Sequence, residues 1–246
     1  LLKIGKEDKQ HLVDEIVKRK QAQQELNSSN QILGTIREIN RLITKENNPS
    51  RLIQECCRLL TSIDIFKNSW IILFDNAPFS QLSASSGIPE NRFDSLVKTF
   101  SANRLNFCSS EAVNTDDVAI VEKNNTGCEK CPMFENNEST TITQRLSHEK
   151  KIYGVLSLRT ATGFTLFKDH LQLFKEIGDD IAFALHNIEH DQEEYSIKQA
   201  LRESEMQYRT LFNSSKDAIM ILDPDTMHFT AGNPALLEMF NIADYD

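Results

Sequence analysis

The chain has 246 residues, which is enough for one or two domains, and its 39% hydrophobic and 26% charged residues are typical of a globular protein. Its net charge of −9 argues against nonspecific binding to nucleic acid and against adhesion to an anionic membrane. No apolar run approaches the roughly 20 residues of a membrane span, and the charged N-terminus is not typical of a signal peptide. We therefore expect a cytoplasmic part of a longer protein, with no nucleic-acid partner and no membrane contact.

The N-terminal region predicts a long helix, because residues 6–45 contain no Pro and a single Gly. Apolar residues in this stretch fit a seven-residue repeat: Leu26, Leu33, Ile36 and Ile43. Such a repeat is typical of helices that pair along a seam. A single amphipathic helix packed on its own domain fits equally well, and the sequence leaves both interpretations open.

The next elements are predicted from short apolar runs and helical spacing. Asn48 or Ser50 is positioned to cap a second helix, whose apolar positions extend to Leu60. Residues 105–121 predict a short strand that ends near Cys108, followed by irregular structure. The other predictions are a buried strand at 69–75, a strand at 79–86, a helix at 90–101 and a long loop at 122–139.

The second half predicts a hairpin and a very long helix. Residues 140–146 alternate like a half-buried strand, 147–150 form a turn, and 151–160 are the strongest strand. A helix follows over about 167–212, and its apolar repeat is interrupted at 190–194, which divides it into a packed part and a connector. The order predicts an α+β fold, an antiparallel sheet with helices on one face, flanked by long coiled-coil-like helices.

The five cysteines suggest free, metal-bound or redox-active thiols in a reducing compartment, because an odd number fits a disulfide framework poorly. Cys128 and Cys131 form a Cys-x-x-Cys pair that suits a soft metal, an iron–sulfur centre or disulfide exchange. Pro132 stands where covalent haem attachment needs His. A zinc site needs four ligands, so the metal candidates are this pair with Cys108 and His148. Surface thiols, or a simple disulfide that braces the loop, are the alternative.

Two other sets of candidate ligands are interpreted as structural. Cys56 lies on the apolar face of the second helix and is expected to be a core residue, with its neighbour Cys57 given no role. His186 and His190 lie four residues apart on the last helix, a spacing that can serve a metal, but a solvated face or a dimer seam is the preferred interpretation.

Several segments together resemble one known family. They are the run Trp70–Asp75, the small polar strand that closes at Ser85-Ser86-Gly87, the turn and glycine-bearing strand over Arg145–Leu158, and the helix from Phe167 onward. In this order they resemble a GAF domain over residues 34–190. Residues 1–33 are then an N-terminal helix or linker, and residues 191–212 a connector helix.

The C-terminal segment resembles the entry to a PAS domain. Residues 203–213 are similar to its lead-in helix, residues 218–223 to its first strand, and Asn233-Pro234-Ala235 to the start of its next helix. Residues 213–246 are therefore expected to be the opening of a PAS domain that continues beyond them.

The GAF resemblance implies a ligand pocket between the sheet and the segment 93–121, bordered by the cysteine loop. Aromatic candidates for its lining are Phe100, Phe107, Phe134 and Tyr153, although Phe100 is more simply a core residue. No polar set matches the family's cyclic-nucleotide binders. The ligand is thus an unknown small molecule, and the cofactor remains open among a metal, haem or none.

The resemblance implies a sensory role in a multidomain signalling protein, typically a sensor histidine kinase of a two-component system. We expect a module that binds a small ligand or responds to redox state, and that relays the change through the helices of a homodimer to a PAS or kinase output. The alternatives are a dimerisation scaffold with a vestigial pocket and a metal- or haem-binding redox module. No paired carboxylates, Ser/His/Asp set or nucleotide loop is present in the sequence, so catalysis is not expected.

Overall fold

The structure is a computed structural model that describes residues 4–74, 82–101, 105–122, 131–133 and 139–241, with the backbone alone for residues 4–8 and Ser101. The chain divides into two compact units, Leu1–Glu189 and His190–Asp246. Each unit is described by itself.

The described residues form an α+β fold with a five-stranded antiparallel sheet, as predicted for the fold class. The helices are α1 (Ile4–Ile43), α2 (Pro49–Leu60), α3 (Glu90–Ser101), α4 (Phe107–Val113), α5 (Lys168–Ser214) and α6 (Pro234–Phe240). The strands are β1 (Phe66–Leu73), β2 (Ser83–Ser86), β3 (Ala119–Val121), β4 (Thr141–His148), β5 (Lys151–Thr160), β6 (Met220–Leu222) and β7 (Phe229–Gly232).

The first unit is built on a five-stranded antiparallel sheet in the order β2-β1-β5-β4-β3. The central strand β5 has the bounds that its apolar run predicted. Gly154 faces Leu73 in the ladder, and a Cβ at Gly154 would lie 2.8 Å from the Leu73 Cα and still closer to the Ile72 carbonyl oxygen. Only glycine therefore fits where β1 and β5 approach.

One side of the sheet, the α5 face, is sealed by long helices. Strand residues on this face include Ile71, Leu73, Ile142, Leu146, Leu156 and Leu158. They form one apolar cluster with α1, α2 and the first half of α5. Ile32, Ile36 and Ile39 of α1 are buried in it, so this part of α1 packs on its own domain, whereas Leu26 and Leu33 are exposed.

The other side, the thiol face, carries a smaller cluster under α3 and α4. Its buried members are Trp70, Ile72, Leu96, Cys108, Val121, Met133 and Val155. The prediction of helices on one face described the long helices correctly but not these two short ones, which lie on the opposite face.

Two local predictions were wrong in detail. The strand expected to end near Cys108 is instead the helix α4, because the Asn106 side chain accepts the Ser109 backbone N–H at 3.2 Å and caps a new helix. Of the strand predicted at 79–86, the described part forms Ser83–Ser86, and residues 75–81 lie outside the described residues. The hairpin turn is also tighter than predicted, since His148 still pairs with Lys151 in the ladder.

The second unit contains the C-terminal part of α5, the β6–β7 hairpin and α6. Asn233 is fully buried and joins these pieces. Its Oδ1 accepts the backbone N–H groups of Ile219 at 2.8 Å and Leu236 at 3.1 Å, and its Nδ2 donates to the Asp217 carbonyl at 2.8 Å. The predicted helix start at Asn233-Pro234-Ala235 is thus a capped N-terminus.

Candidate functional site

The thiol face of the first unit buries polar side chains beside its apolar cluster. Side chains alternate between the two faces along a strand. Because Ile142, Leu156 and Leu158 point to the α5 face, their neighbours Thr143 and Ser157 point to the thiol face. The Thr143 and Ser157 hydroxyls are 2.9 Å apart and both residues are fully buried.

Ser109 on α4 adds a third buried hydroxyl to this unit. The residue is fully buried, and its Oγ has no hydrogen-bond partner within the part of the chain that the structure describes. Buried polar atoms almost always find a partner, so an exception calls for an explanation such as a bound ligand or water. Ser109 is therefore a candidate for hydrogen bonding to a small molecule beside α4, and Gln144 Oε1 on the α5 face is also buried without a described partner.

Two of the predicted cysteines belong to this face. Cys108 is buried in the cluster and Cys131 packs against it half-buried, and neither forms a disulfide. Asn106 Nδ2 donates to the Cys131 Sγ at 3.7 Å. Cys128 and Phe134, the other predicted site residues of this loop, lie outside the described residues.

Two arginines hold the segment that carries Cys131. Arg92 Nε donates to the Pro132 carbonyl at 3.0 Å, and Arg159 Nη2 donates to the Met133 carbonyl at 2.5 Å. These hydrogen bonds attach the segment to α3 and to the end of β5. Sequence reasoning missed both arginines, although Arg159 follows Ser157 on the polar side of an otherwise apolar strand.

The aromatic candidates separate into two groups. Phe107 packs against the thiol-face cluster and lines a groove of about 340 Å³ between α4 and β3. Phe100 packs edge-on against Trp70 with ring centroids 5.9 Å apart. Tyr153 does not join them. The ladder skips Tyr153 at a β-bulge, where Leu146 pairs with Gly154 and Ser147 with Ile152. The bulge turns the Tyr153 side chain into the α5-face cluster.

Tyr153 instead belongs to a polar cluster between the β4–β5 hairpin and α5. Its hydroxyl donates to Glu189 Oε2 at 2.9 Å and lies 3.1 Å from His186 Nδ1. The Glu189 carboxylate is buried and is paired with the Lys151 ammonium. His148, predicted as a partner of the cysteines, packs here against His186 and Phe183 of α5. The structure therefore does not bring His148 and Cys108 together.

The thiols on the α5 face are inert by comparison. Cys56 and Cys57 are fully buried, as the core interpretation of Cys56 predicted. Burial raises the pKa of Cys57 to about 12, against lowering by its hydrogen bond with Ser69, and burial raises the pKa of Cys56 further. A protonated thiol is a poor nucleophile and metal ligand, so these two positions are unsuited to chemistry.

Among the described residues, one group of His, Asp and Glu side chains has three ligand atoms within 4.8 Å of one another: His190, Asp191 and Glu194. All three are exposed. Glu194 is also hydrogen-bonded to Lys198 at 2.5 Å, so a cation would have to compete with an ammonium group.

The fold described above is found in solved GAF domains and in an enzyme. A GAF domain from a phosphoenolpyruvate-protein phosphotransferase of Coxiella burnetii matches with a TM-score of 0.49 and 7% identity, over 67% of this chain and 98% of that one. The A. aeolicus nlh2 GAF domain in an inactive state matches with a TM-score of 0.46 and 12% identity, over 63% and 96%. A free methionine-R-sulfoxide reductase from Neisseria meningitidis, in complex with its substrate, matches with a TM-score of 0.50 and 10% identity, over 67% and 93%.

A family model described as a PAS domain matches residues 206–246. No curated protein matches the sequence. The chain therefore has a GAF-type fold, followed by a segment of the PAS type. Within the described residues, no helix is both long enough and apolar enough to cross a membrane.

Proposed function

We propose that the chain is a sensory module in which a small molecule or a thiol oxidation at the thiol face changes the packing of α5. The observation that carries this proposal is the buried Ser109 hydroxyl without a described partner, in the same unit as the buried Thr143–Ser157 hydroxyl pair. A ligand with hydrogen-bonding groups would supply the missing partner.

Strand β4 connects the thiol face to α5, because its neighbouring residues point to opposite faces of the sheet. Thr143 faces the proposed ligand, and the next residue, Gln144, faces α5. Gln144 Nε2 donates to the Lys175 carbonyl and to Asp179 Oδ1, both at 3.0 Å. A Cβ at Gly178 would lie 2.5 Å from the Gln144 Cδ, so strand and helix fit closely here. A small shift of β4 would therefore act on α5.

The proposed thiol oxidation involves Cys131. It is half-buried, whereas Cys56, Cys57 and Cys108 are buried. We propose that Cys131 pairs with Cys128 on oxidation, because the two stand in a Cys-x-x-Cys pair. Two thiols then lose two protons and two electrons and form one S–S bond, and an oxidant such as diamide takes up both hydrogens.

We further propose that the signal passes through a homodimer. In the second unit, α5 presents an apolar series at alternating spacings of four and three: Ile197, Leu201, Ser204, Tyr208 and Leu211. The four large members are half to nearly three-quarters exposed. A 3.5-residue repeat is the pattern of a two-stranded coiled coil, in which a second copy would cover the series. Leu201→Glu should convert the dimer to monomer in sedimentation analysis, whereas Arg202→Glu on the neighbouring helix position should not.

Trp70 provides the test of the sensor itself. It is the single tryptophan, it is buried in the thiol-face cluster, and it contacts Phe100. We expect its emission to change on titration with diamide and to recover with dithiothreitol. The change should be absent in Cys131→Ser and retained in Cys57→Ser, the matched control on the opposite face.

The small-molecule arm is tested on the freshly purified chain by native mass spectrometry, which would detect a retained ligand. Hydrogen exchange of residues 168–189 should then differ between the loaded and the stripped protein, and Gly178→Ala should weaken that difference. No retained mass and no diamide response would leave the dimerisation scaffold as the function. Consumption of free methionine-R-sulfoxide with dithiothreitol as reductant would contradict a purely regulatory role.

A further inference from the structure

Two histidines from different elements meet at the end of the β4–β5 hairpin. His148, the last residue of β4, and His186 of α5 have ring centroids 4.7 Å apart, with ring planes tilted by 39°. Both side chains are half-buried, and Phe183 packs against the His148 ring at 5.3 Å. Neither the sequence pattern nor the proposed sensor explains why these imidazoles are adjacent.

The hydrogen bonds around His186 fix which ring nitrogen carries the proton. The Glu189 carboxylate, paired with Lys151, only accepts, so the Tyr153 hydroxyl donates its one hydrogen to Glu189 Oε2. The Tyr153 oxygen must then accept from His186 Nδ1, 3.1 Å away. In the neutral ring of His186, Nδ1 therefore carries the hydrogen and Nε2 carries the lone pair.

This chain of hydrogen bonds is the support that a metal-bound histidine usually has. A ligating imidazole normally donates its other N–H to an oxygen that is itself oriented by the protein, which fixes the tautomer and increases the basicity of the ligand nitrogen. Here Tyr153 and Glu189 provide that support, and Lys151 balances the carboxylate charge. Neither ring nitrogen of His148 has a hydrogen-bond partner among the described residues, so His148 can also offer a nitrogen to a metal ion.

We propose that His148 and His186 bind one divalent transition-metal ion of the Zn²⁺, Ni²⁺ or Cu²⁺ type, with water in the remaining positions. Imidazole nitrogen suits these ions, whereas Mg²⁺ and Ca²⁺ require oxygen ligands. The bound ion would link the hairpin directly to α5 and hold the helix against the sheet four residues before His190. The site is separate from the cysteines of the thiol face.

The test is a calorimetric titration of the 246-residue chain with Ni²⁺. We expect one ion per chain and no binding of Mg²⁺. His148→Gln and His186→Gln should each weaken Ni²⁺ binding by more than Tyr153→Phe, which removes only the supporting hydroxyl and should cost about tenfold. His190→Gln is the matched control, because His190 lies on the same helix and belongs to the exposed group with Asp191 and Glu194.

Three results would overturn the site. They are unchanged Ni²⁺ binding in His148→Gln or His186→Gln, loss of binding in His190→Gln, and a thiolate-to-metal charge-transfer band when Co²⁺ is added. Circular dichroism of the metal-free variants checks that each one folds. If a variant does not fold, ¹H–¹⁵N imidazole spectra of the wild-type chain with Zn²⁺ decide the question. Shifts at His148 and His186 support the site, and shifts confined to His190 refute it.

Discussion

The two faces of the central sheet are built from the same strands but differ in what they bury. The α5 face is a large apolar cluster that contains hydrogen-bonded polar groups, such as Tyr153 with Glu189, and also Gln144 Oε1, which is buried with no partner among the described residues. The thiol face has fewer apolar residues. It also holds the buried thiol of Cys108, the half-buried thiol of Cys131 and the Ser109 hydroxyl, which has no described partner. Because the α5 face has the larger apolar cluster, we expect it to contribute more to the stability of the fold than the thiol face does.

The largest expected effects come from replacing one buried leucine on each face with alanine. Leu146 on the α5 face and Leu96 on the thiol face are both fully buried. Leu146→Ala should lower the free energy of unfolding by about 3–5 kcal/mol, and Leu96→Ala by about 2–3 kcal/mol, since the smaller cluster can collapse around the missing atoms. Urea denaturation measures both values. Equal losses would mean that the thiol face is packed as tightly as the α5 face.

A glycine pair tests how closely the two central strands approach. Gly154→Ala should cost about 3 kcal/mol, because the new methyl group would overlap backbone atoms of Ile72 and Leu73, which cannot rotate away. Gly34→Ala is the control with the opposite sign. Gly34 is an exposed helical residue with no atom within 4 Å of its added Cβ, so alanine should stabilise by about 0.5–1 kcal/mol. A destabilising Gly34→Ala would indicate that α1 contacts a partner there.

The regular parts of the two faces were predictable, and the functional contacts were not. The strand β5 could be bounded because the apolar run Ile152–Leu158 is flanked by polar and turn residues on both sides. The helix α4 could not, because seven residues are too few for a 3.6-residue period and one Asn106 side chain decides the outcome. Tyr153 was assigned to the wrong face because a period of two does not reveal a bulge. The His148–His186 contact could not be predicted either, because it depends on how the β4–β5 hairpin packs against α5.

The attachment of α1 to the α5 face depends on neutral His170. The Phe167 backbone N–H donates to His170 Nδ1 at 3.3 Å, so Nε2 carries the proton and donates to Ser28 Oγ of α1 at 2.8 Å. Burial lowers the pKa of His170 below its usual value, although Glu25 and Asp169 oppose this. The folded chain therefore resists protonation more than the unfolded chain does.

The stability of the folded chain should therefore decrease as the pH falls. The stabilisation is complete above the unfolded pKa of about 6.5 and is lost as the pH falls toward the lower folded pKa, with a slope of at most about 1.4 kcal/mol per pH unit. Thermal denaturation at several pH values should show this slope in the wild type and in His11→Gln, an exposed histidine of α1. It should be reduced in His170→Gln. An unaltered slope in His170→Gln would mean that other groups cause the acid sensitivity.

The smallest expected effects come from replacing one buried serine on each face with alanine, and they distinguish the two faces most clearly. Ser69 and Ser109 are both fully buried serines, on the α5 face and on α4 at the thiol face. Ser69 Oγ donates to the Cys57 carbonyl at 2.8 Å, so Ser69→Ala should cost about 1 kcal/mol. Ser109→Ala should instead stabilise the ligand-free chain by up to about 1 kcal/mol, because it removes a buried hydroxyl that has no described partner.

Part of any gain at Ser109 would come from helix propensity, since alanine is the better helix former. Ser110→Ala, at the next position of α4 and only partly buried, measures that part alone. The difference between the two alanine variants is then the cost of keeping the Ser109 hydroxyl buried. If Ser109→Ala destabilises as Ser69→Ala does, the hydroxyl has a partner within the folded chain. The thiol face would then be an ordinary core, and the ligand site proposed beside α4 would have no support.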